Sequence, residues 1–236
     1  MNITDYFKKL NDKSQEIFEQ SLDDSDSLGK THHLLNCIVE FSDQLSDMHE
    51  KELLRSVAGQ LESSCLNMTL GLYRQAFSSL RLAFEMGLGV VYFSSNKLEH
   101  FEWMKGNADI KWSKLINEDN GVLSKRFSNA FFPELTSIID EYNEKTSALY
   151  RRLSEFVHGN SETWSKSGLQ LTLNKPLKKQ FYTNFYEVSE IILFVLSCRY
   201  LKIMDTATLE SMEFIQSELS HIPPIRMLCG GPKELK

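Results

Sequence analysis

The sequence predicts an all-α protein, an antiparallel helical bundle formed by a single domain over residues 1–236. Its 236 residues contain only 11 glycines and 5 prolines, too few breaks for many short strands and turns. Apolar residues recur at steps of three and four along most of the chain, which is the helical period. The one strand-like alternation is LQLTL, residues 169–173, and it is too short to define a sheet.

Helices account for most of the first hundred residues. We expect a first helix over residues 4–20, then a polar break in SLDDSDSLGK, residues 21–30. The helical pattern resumes over 32–44 and again from residue 47 through the sixties. The stretch from 66 to 93 has the strongest helical pattern of all. Its core positions follow steps of three and four and are Tyr73, Phe77, Leu80, Phe84, Leu88 and Val91.

The remainder of the chain is predicted to alternate irregular and helical segments. Residues 96–121 carry only short, aromatic-rich helical pieces. Pro133 opens a helix, since proline suits a first helical turn, and the helical stretch extends to residue 159. A long helix over 176–203 and a final one over 206–219 complete the bundle. No internal repeat and no long linker divides the chain.

Charge and cysteine content restrict the class of function. The formal net charge of −6 argues against a protein that coats nucleic acid, although an enzyme touching RNA through a small local site remains compatible. The four cysteines lie far apart without a C-x-x-C pair, so neither a zinc finger nor a disulfide framework is indicated. They are Cys37, Cys65, Cys198 and Cys229.

The chain shows no targeting or membrane segment by its pattern. Its first residues lack the apolar core of a signal peptide. The most apolar run, residues 188–198, is too short to span a bilayer and is flanked by Glu187 and Arg199. We therefore expect a soluble cytoplasmic protein that does not interact with a membrane.

The stretch ALYRRLSEFVHGN, residues 148–160, contains the strongest candidate site. At about 100° per residue, Arg151 and His158 differ by about 20° and lie nearly opposite the apolar sector. Ser154 lies between them in height, and Arg152 points toward the flank of the buried face. Geometry therefore pairs Arg151 with His158 if the helix reaches the histidine. Arg152 becomes the partner only if the helix frays near Gly159.

An arginine and a histidine on one helix face have a defined chemical use. A guanidinium binds a phosphate and stabilises extra negative charge in a transition state. An imidazole moves a proton at neutral pH. Together they suffice for RNA cleavage by the neighbouring 2′-hydroxyl, without a metal or cofactor. The alternative is a solvated helix side on which Arg151 and Glu155 form an i,i+4 pair.

A polar stripe on the most strongly helical segment is the second candidate. Its members are Arg74, Ser78, Arg81 and Glu85, which follow steps of four, three and four. One interpretation is a solvated edge with an Arg81–Glu85 ion pair. The other is that this edge faces the helix of Arg151 and His158 and holds the histidine in place.

Two other sequence patterns are weaker candidates for a functional site. His32, His33 and His49 have no acid or thiol at ligand spacing, so surface histidines are favoured over a metal site. The Gly87–Gly89 stretch follows no strand and precedes no G-K-[ST], so it is not predicted to bind phosphate.

The segment LYRRLSEFVHGN, after a helix containing LYRQAFSSLRLAFEMG, resembles the HEPN superfamily (higher eukaryote and prokaryote nucleotide-binding domains). The superfamily motif is an arginine, four to six residues, then a histidine. Five residues separate Arg152 from His158 and six separate Arg151 from it, so both arginines fit. The resemblance covers about residues 53–202, which leaves extra N- and C-terminal helices.

The resemblance implies a bundle of four or more helices, usually dimeric, with two Arg/His motifs lining a shared cleft. Many members are metal-independent ribonucleases of toxin–antitoxin and phage-defence systems. Carried over, Arg151 or Arg152 would hold the scissile phosphate and His158 would be the acid/base, with Ser154 and Asn160 assisting. Two departures stand out: the arginine is doubled, and Asn160 occupies the position of a tyrosine that nucleotidyltransferase partners modify.

Two classes of function therefore compete. The first is an endoribonuclease, a homodimeric toxin or antiviral-defence effector whose partners are its RNA substrate and an antitoxin or other defence-system protein. The second is a non-catalytic regulatory or scaffold subunit that binds a protein partner or nucleotide. A metal-dependent enzyme using the scattered histidines is a remoter third.

Overall fold

A computed structural model describes residues 2–159 and 171–233. Within those residues the chain forms twelve α-helices, two 3-10 turns (Pro133–Leu135 and Leu201–Ile203) and no strand, which confirms the predicted all-α helical bundle. The helices are α1 Ile3–Ser21, α2 Ser25–Asp43, α3 Met48–Thr69, α4 Tyr73–Ser95, α5 Lys97–Met104, α6 Trp112–Leu115, α7 Lys125–Phe131, α8 Ile139–His158, α9 Lys175–Tyr200, α10 Thr206–Ser211, α11 Glu213–Leu219 and α12 Pro223–Leu228.

Helix α4 is the centre of the bundle. It packs along α3, α8 and α9, and the six core positions predicted for it are all buried. At Gly87 a Cβ would lie 2.7 Å from Cδ1 of Ile192, so the glycine lets α9 approach α4 closely. By length and composition, α4 is also apolar enough to cross a membrane. However, 61% of its most apolar window is buried inside the protein, as in a core helix.

Helices α2, α4 and α9 run in the same direction. The Tyr73 hydroxyl, at the start of α4, donates to the carbonyl of Thr172 just before α9, and Arg199 at the end of α9 donates to Ser94 at the end of α4. An ion pair joins the start of α9 to Asp24, the residue before α2. The three helices thus share one starting end.

Helices α3 and α8 run the opposite way. Glu50 near the start of α3 accepts a hydrogen bond from the Tyr200 hydroxyl at the end of α9. In α8, Tyr142 stacks on Phe194 of α9, and Phe156 near the other end stacks on Phe77 near the start of α4. Among these five helices, neighbours are therefore antiparallel except where α9 lies beside α2 and α4.

The first helical boundaries differ from the prediction at two places. The polar break is confined to residues 22–24, and α2 begins at Ser25 rather than near residue 32, since Asp26 in its first turn complements the helix dipole. The stretch 66–93 is not one helix. Gly71, at φ 76°, ends α3 with Leu72 N–H bonded to the Asn67 carbonyl and Gly71 N–H to that of Met68.

Later boundaries differ as well. Pro133 opens only a 3-10 turn, and α8 begins at Ile139. The predicted helix over 206–219 is divided at Met212, which is buried, and the tail forms α12 with Pro223 at its first position. Of the strand-like LQLTL, residues 169 and 170 lie outside the described chain, and 171–173 are not a strand.

Candidate functional site

The last two turns of α8 present Arg151 and His158 to solvent. The helix continues to His158 and is capped by Gly159, so the two residues lie on one face, as the helical spacing predicts. Leu149, Leu153 and Phe156 face the core on the opposite side. Neither Arg151 nor His158 has a hydrogen bond or ion pair to a described residue, and both side chains are exposed.

Arg152 is in a different environment from its neighbour. Its guanidinium forms an ion pair and hydrogen bond with the Glu187 carboxylate of α9, and the side chain is half-buried. This agrees with its predicted position at the flank of the buried face. One arginine of the pair is thus held in place by a tertiary contact, whereas the other is exposed and has no hydrogen bond or ion pair to a described residue.

Of the two residues predicted to assist catalysis, only Ser154 lies within the described part of the chain. The Ser154 hydroxyl donates to the Tyr150 carbonyl at 2.7 Å, the usual i−4 bond of a helical serine, so it is a local backbone contact. Asn160 lies outside the described residues.

The polar stripe of α4 contacts α8 through Arg81. Its four members are half-buried, and the Arg81 guanidinium binds Glu85 at 2.9 Å, the predicted i,i+4 pair. The same guanidinium donates to the Tyr150 hydroxyl of α8 at 2.5 Å. Arg81 therefore contacts the residue before Arg151, and none of its described hydrogen bonds reaches His158.

Tyr150 is the centre of this contact. Its ring stacks on Trp112 of α6 with centroids 3.6 Å apart, and Arg81 lies 4.7 Å from the ring centroid. Burial, together with the Glu85 carboxylate, raises the pKa of the Tyr150 hydroxyl, so the phenol stays neutral. The stack fixes the side of α8 immediately before Arg151.

The sequence did not predict two contacts around the site, the Tyr150–Trp112 stack and the ion pair of Arg152 with Glu187. A signal exists for Glu187, because a carboxylate inside a long apolar helix needs a partner. Nothing in the linear spacing connects Trp112 with Tyr150, which is 38 residues later in the chain. Their contact depends on how the irregular segment between α5 and α7 folds back over α4.

The described residues contain no clear metal-binding group and no thiol with the properties of a nucleophile among Cys37 and Cys198. No group of three His, Cys, Asp or Glu side chains there has the arrangement of a metal site. His33 pairs with Glu218 at 3.0 Å, whereas the His49 ring lies 6.1 Å from that of His100. Burial raises the pKa values of Cys37 and Cys198 to about 12, so these thiols are poor nucleophiles.

The protein is thus an all-α helical bundle that exposes an arginine–histidine pair at the end of one helix. No family model, no curated protein and no solved structure matches the chain.

Proposed function

We propose that this protein is a HEPN-like, metal-independent endoribonuclease in which Arg151 binds the scissile phosphate and His158 is the general acid/base. The observation that carries the proposal is the exposure of Arg151 and His158 on one face of α8 without described partners. An exposed arginine and histidine on one helix face suit an anionic substrate that undergoes proton transfer.

The Arg152–Glu187 ion pair assigns different roles to the two arginines. A guanidinium already bound to a carboxylate is partly neutralised and fixed, so it is a poorer phosphate ligand than a free one. Arg151 is therefore the phosphate-binding residue, and Arg152 positions the helix. The Tyr150–Trp112 stack and the Phe77–Phe156 stack hold α8 on both sides of Arg151.

The reaction follows from these groups. An imidazole takes the proton of the RNA 2′-hydroxyl, and the 2′-oxygen forms a bond to phosphorus while the bond to the 5′-oxygen breaks. A protonated imidazole gives its proton to the leaving 5′-oxygen. The products are a 2′,3′-cyclic phosphate and a 5′-hydroxyl. Arg151 stabilises the additional negative charge on phosphorus oxygens in the transition state.

A homodimer would supply one imidazole for each proton transfer, with two Arg151–His158 faces lining one cleft. This part of the proposal rests on the resemblance, as do a cytoplasmic location, a role as toxin or phage-defence effector and an antitoxin or other defence protein as partner. Sedimentation equilibrium of the purified chain tests the dimer. A monomer at every concentration would contradict it.

The deciding experiment compares matched arginine variants. Purified protein is incubated with total RNA in EDTA, and cleavage and end groups are analysed. We expect His158→Ala to abolish cleavage and Arg151→Ala to reduce it about a hundredfold, the usual cost of removing one oxyanion-binding donor. Arg152→Ala should retain most of the activity. Circular dichroism of each variant checks that the helical fold is intact.

Full activity of a folded His158→Ala variant would refute the assignment. Cleavage that occurs with added Mg²⁺ but not in EDTA would indicate a metal-dependent enzyme instead. The second candidate is a non-catalytic regulatory subunit, which the acidic net charge of −6 favours. It predicts no cleavage at any protein-to-RNA ratio and a copurifying partner that Arg151→Ala releases.

A further inference from the structure

Helix α1 is packed against the bundle along only its second half. The Ser14 hydroxyl donates to the Leu70 carbonyl at 2.8 Å. The buried Ile17 lies against Gly71, where an added Cβ would come within 2.8 Å of the isoleucine Cδ1 atom. Residues 3–13 have no hydrogen bond, ion pair or ring contact to a described residue outside α1. The first three turns of the helix therefore lie largely clear of the bundle.

The first half of α1 nevertheless has a continuous apolar stripe. Its members fall within a sector of about 100° of the helix and are Ile3, Tyr6, Phe7 and Leu10. Ile3 is 66%, Tyr6 40% and Phe7 61% exposed, and Leu10 is half-buried. The groove beside Ile3 and Phe7 is lined by α1 residues alone. An uncovered apolar face of this kind marks a surface that binds a partner or a membrane.

The two borders of the stripe carry lysine or neutral side chains. At about 100° per residue, Lys9 and Lys13 follow the stripe on one side. Lys9 is exposed and has no ion pair to a described residue, and Lys13 pairs with Glu16 in the next turn at 2.5 Å. The other border is neutral and consists of Thr4 and Asn11.

The carboxylates of this half of α1 do not border the stripe. Asp5 and Asp12, together with Lys8, lie about 150° or more from its centre. A second copy of α1 laid antiparallel would bring one lysine border against the other, and a parallel copy would set lysines against neutral side chains. Neither arrangement supplies a carboxylate. The headgroups of an anionic lipid surface supply the missing negative charge.

We propose that the first half of α1 docks on an anionic membrane surface, with Ile3 and Phe7 inserted among the lipids and Lys9 at the level of the headgroups. A helix bound in this way lies along the interface and does not cross the bilayer. Such a contact replaces the expectation from the sequence that the chain does not interact with a membrane. The cytoplasmic leaflet carries anionic lipids, so a protein bound there remains on the cytoplasmic side. Binding of this kind does not depend on RNA cleavage.

Cosedimentation of the purified full chain with lipid vesicles tests the surface. The vesicles contain phosphatidylcholine alone or phosphatidylcholine mixed with phosphatidylglycerol in equal parts, and we expect binding mainly to the mixed vesicles. Phe7→Ala should weaken that binding about tenfold, because it withdraws most of a large apolar side chain from the lipid. The matched control is Phe101→Ala on α5, where the phenylalanine is 50% exposed, and it should leave the affinity unchanged.

Further variants separate insertion of the stripe from general charge attraction. Phe7→Leu keeps an apolar side chain and should bind nearly as well as the wild-type chain. Lys9→Gln should weaken binding severalfold, whereas Asp5→Asn, on the opposite face, should not weaken it. His158→Ala should bind vesicles normally, which separates this surface from the site on α8. Because Phe7 and Lys9 are exposed, urea denaturation of their variants should match that of the wild type.

Two other occupants of the stripe would give different results. A dimer that Phe7→Ala dissociates in sedimentation equilibrium without lipid would assign the stripe to a second copy of the chain. A fluorescent single-stranded oligoribonucleotide whose binding Phe7→Ala and Phe7→Leu weaken alike would assign it to RNA, since stacking on a base needs the ring. Either result, absence of binding to the mixed vesicles, or an equal loss of affinity in Phe101→Ala would overturn the proposal.

Discussion

The two ends of the bundle differ in the contacts that their basic side chains make. At one end, which we call the Glu50 end, α3 begins and α2, α4 and α9 finish. There Lys97 binds both Asp47 and Glu50, and the Tyr200 hydroxyl donates to Glu50 at 2.7 Å. Arg199 donates to Ser94 and lies 4.3 Å from the Phe131 ring centroid.

At the opposite end, which we call the His158 end, α8 finishes and α9 begins. Arg151, His158, Lys175 and Lys179 are exposed there, and none has an ion pair to a described residue. Lys97 and Arg199 at the Glu50 end therefore join helices. At the His158 end Arg152 and Lys178 also join helices, through Glu187 and Asp24, whereas Arg151 and His158 are exposed. The proposed ribonuclease site uses this exposed pair.

Glu50→Ala should have the largest effect on stability of the variants considered, and it tests whether side-chain contacts at the Glu50 end stabilise the fold. Glu50 is 5% exposed, and its removal leaves the buried Tyr200 hydroxyl without an acceptor and takes one partner from Lys97. We expect the free energy of unfolding to fall by about 2 kcal/mol, with Asp47 still available to Lys97. Urea denaturation measures it.

The control for that experiment is Glu52→Ala, an exposed carboxylate on the same helix, which should change the free energy of unfolding by less than about 0.5 kcal/mol. Equal losses in the two variants would show that the Glu50 network contributes nothing specific.

The second prediction is that the free energy of unfolding depends on pH through His100, which lies at the Glu50 end. His100 is 2% exposed and stacks on Phe93. Its burial, and then the charge of Lys97, lower the pKa of the imidazole. Below about pH 6.5 the unfolded chain takes up a proton that the folded chain resists, so stability is lost as the pH falls.

His100→Phe keeps a ring in the stack and removes the titration, so it should flatten this part of the stability curve measured by urea denaturation. His32→Gln, at an exposed position, should leave the curve as it is. An unchanged slope in His100→Phe would assign the pH dependence to other groups.

The smallest stability effects are expected near the His158 end. Arg152→Ala breaks a half-exposed ion pair and should cost at most about 1 kcal/mol, whereas Arg151→Ala should cost less than about 0.5 kcal/mol. Cleavage is expected to show the reverse order. If Arg151→Ala destabilised the fold more than Arg152→Ala, Arg151 would have a structural role and the comparison of the two ends would fail.

Much of the fold could be predicted from the sequence because helical periodicity is a local property. Tyr73, Phe77 and Leu80 are buried as their spacing predicts, and α1 and α9 begin and end within three residues of the expected positions. The errors occur where local signals compete. Gly71 divides a continuous apolar stretch through its left-handed conformation, and Met212 interrupts a helical pattern to enter the core.

For the candidate site, the sequence by itself determined that Arg151 and His158 share one face of a helix and that Arg152 leans toward the core. These facts follow from a fixed rotation per residue. Only the tertiary structure decided which arginine is already occupied, since Glu187 lies 35 residues further along the chain and contacts Arg152 through the packing of α9 on α8. The contact of Arg81 with Tyr150 has the same origin. Spacing determines the direction of a side chain, whereas its partner depends on which helix packs beside it.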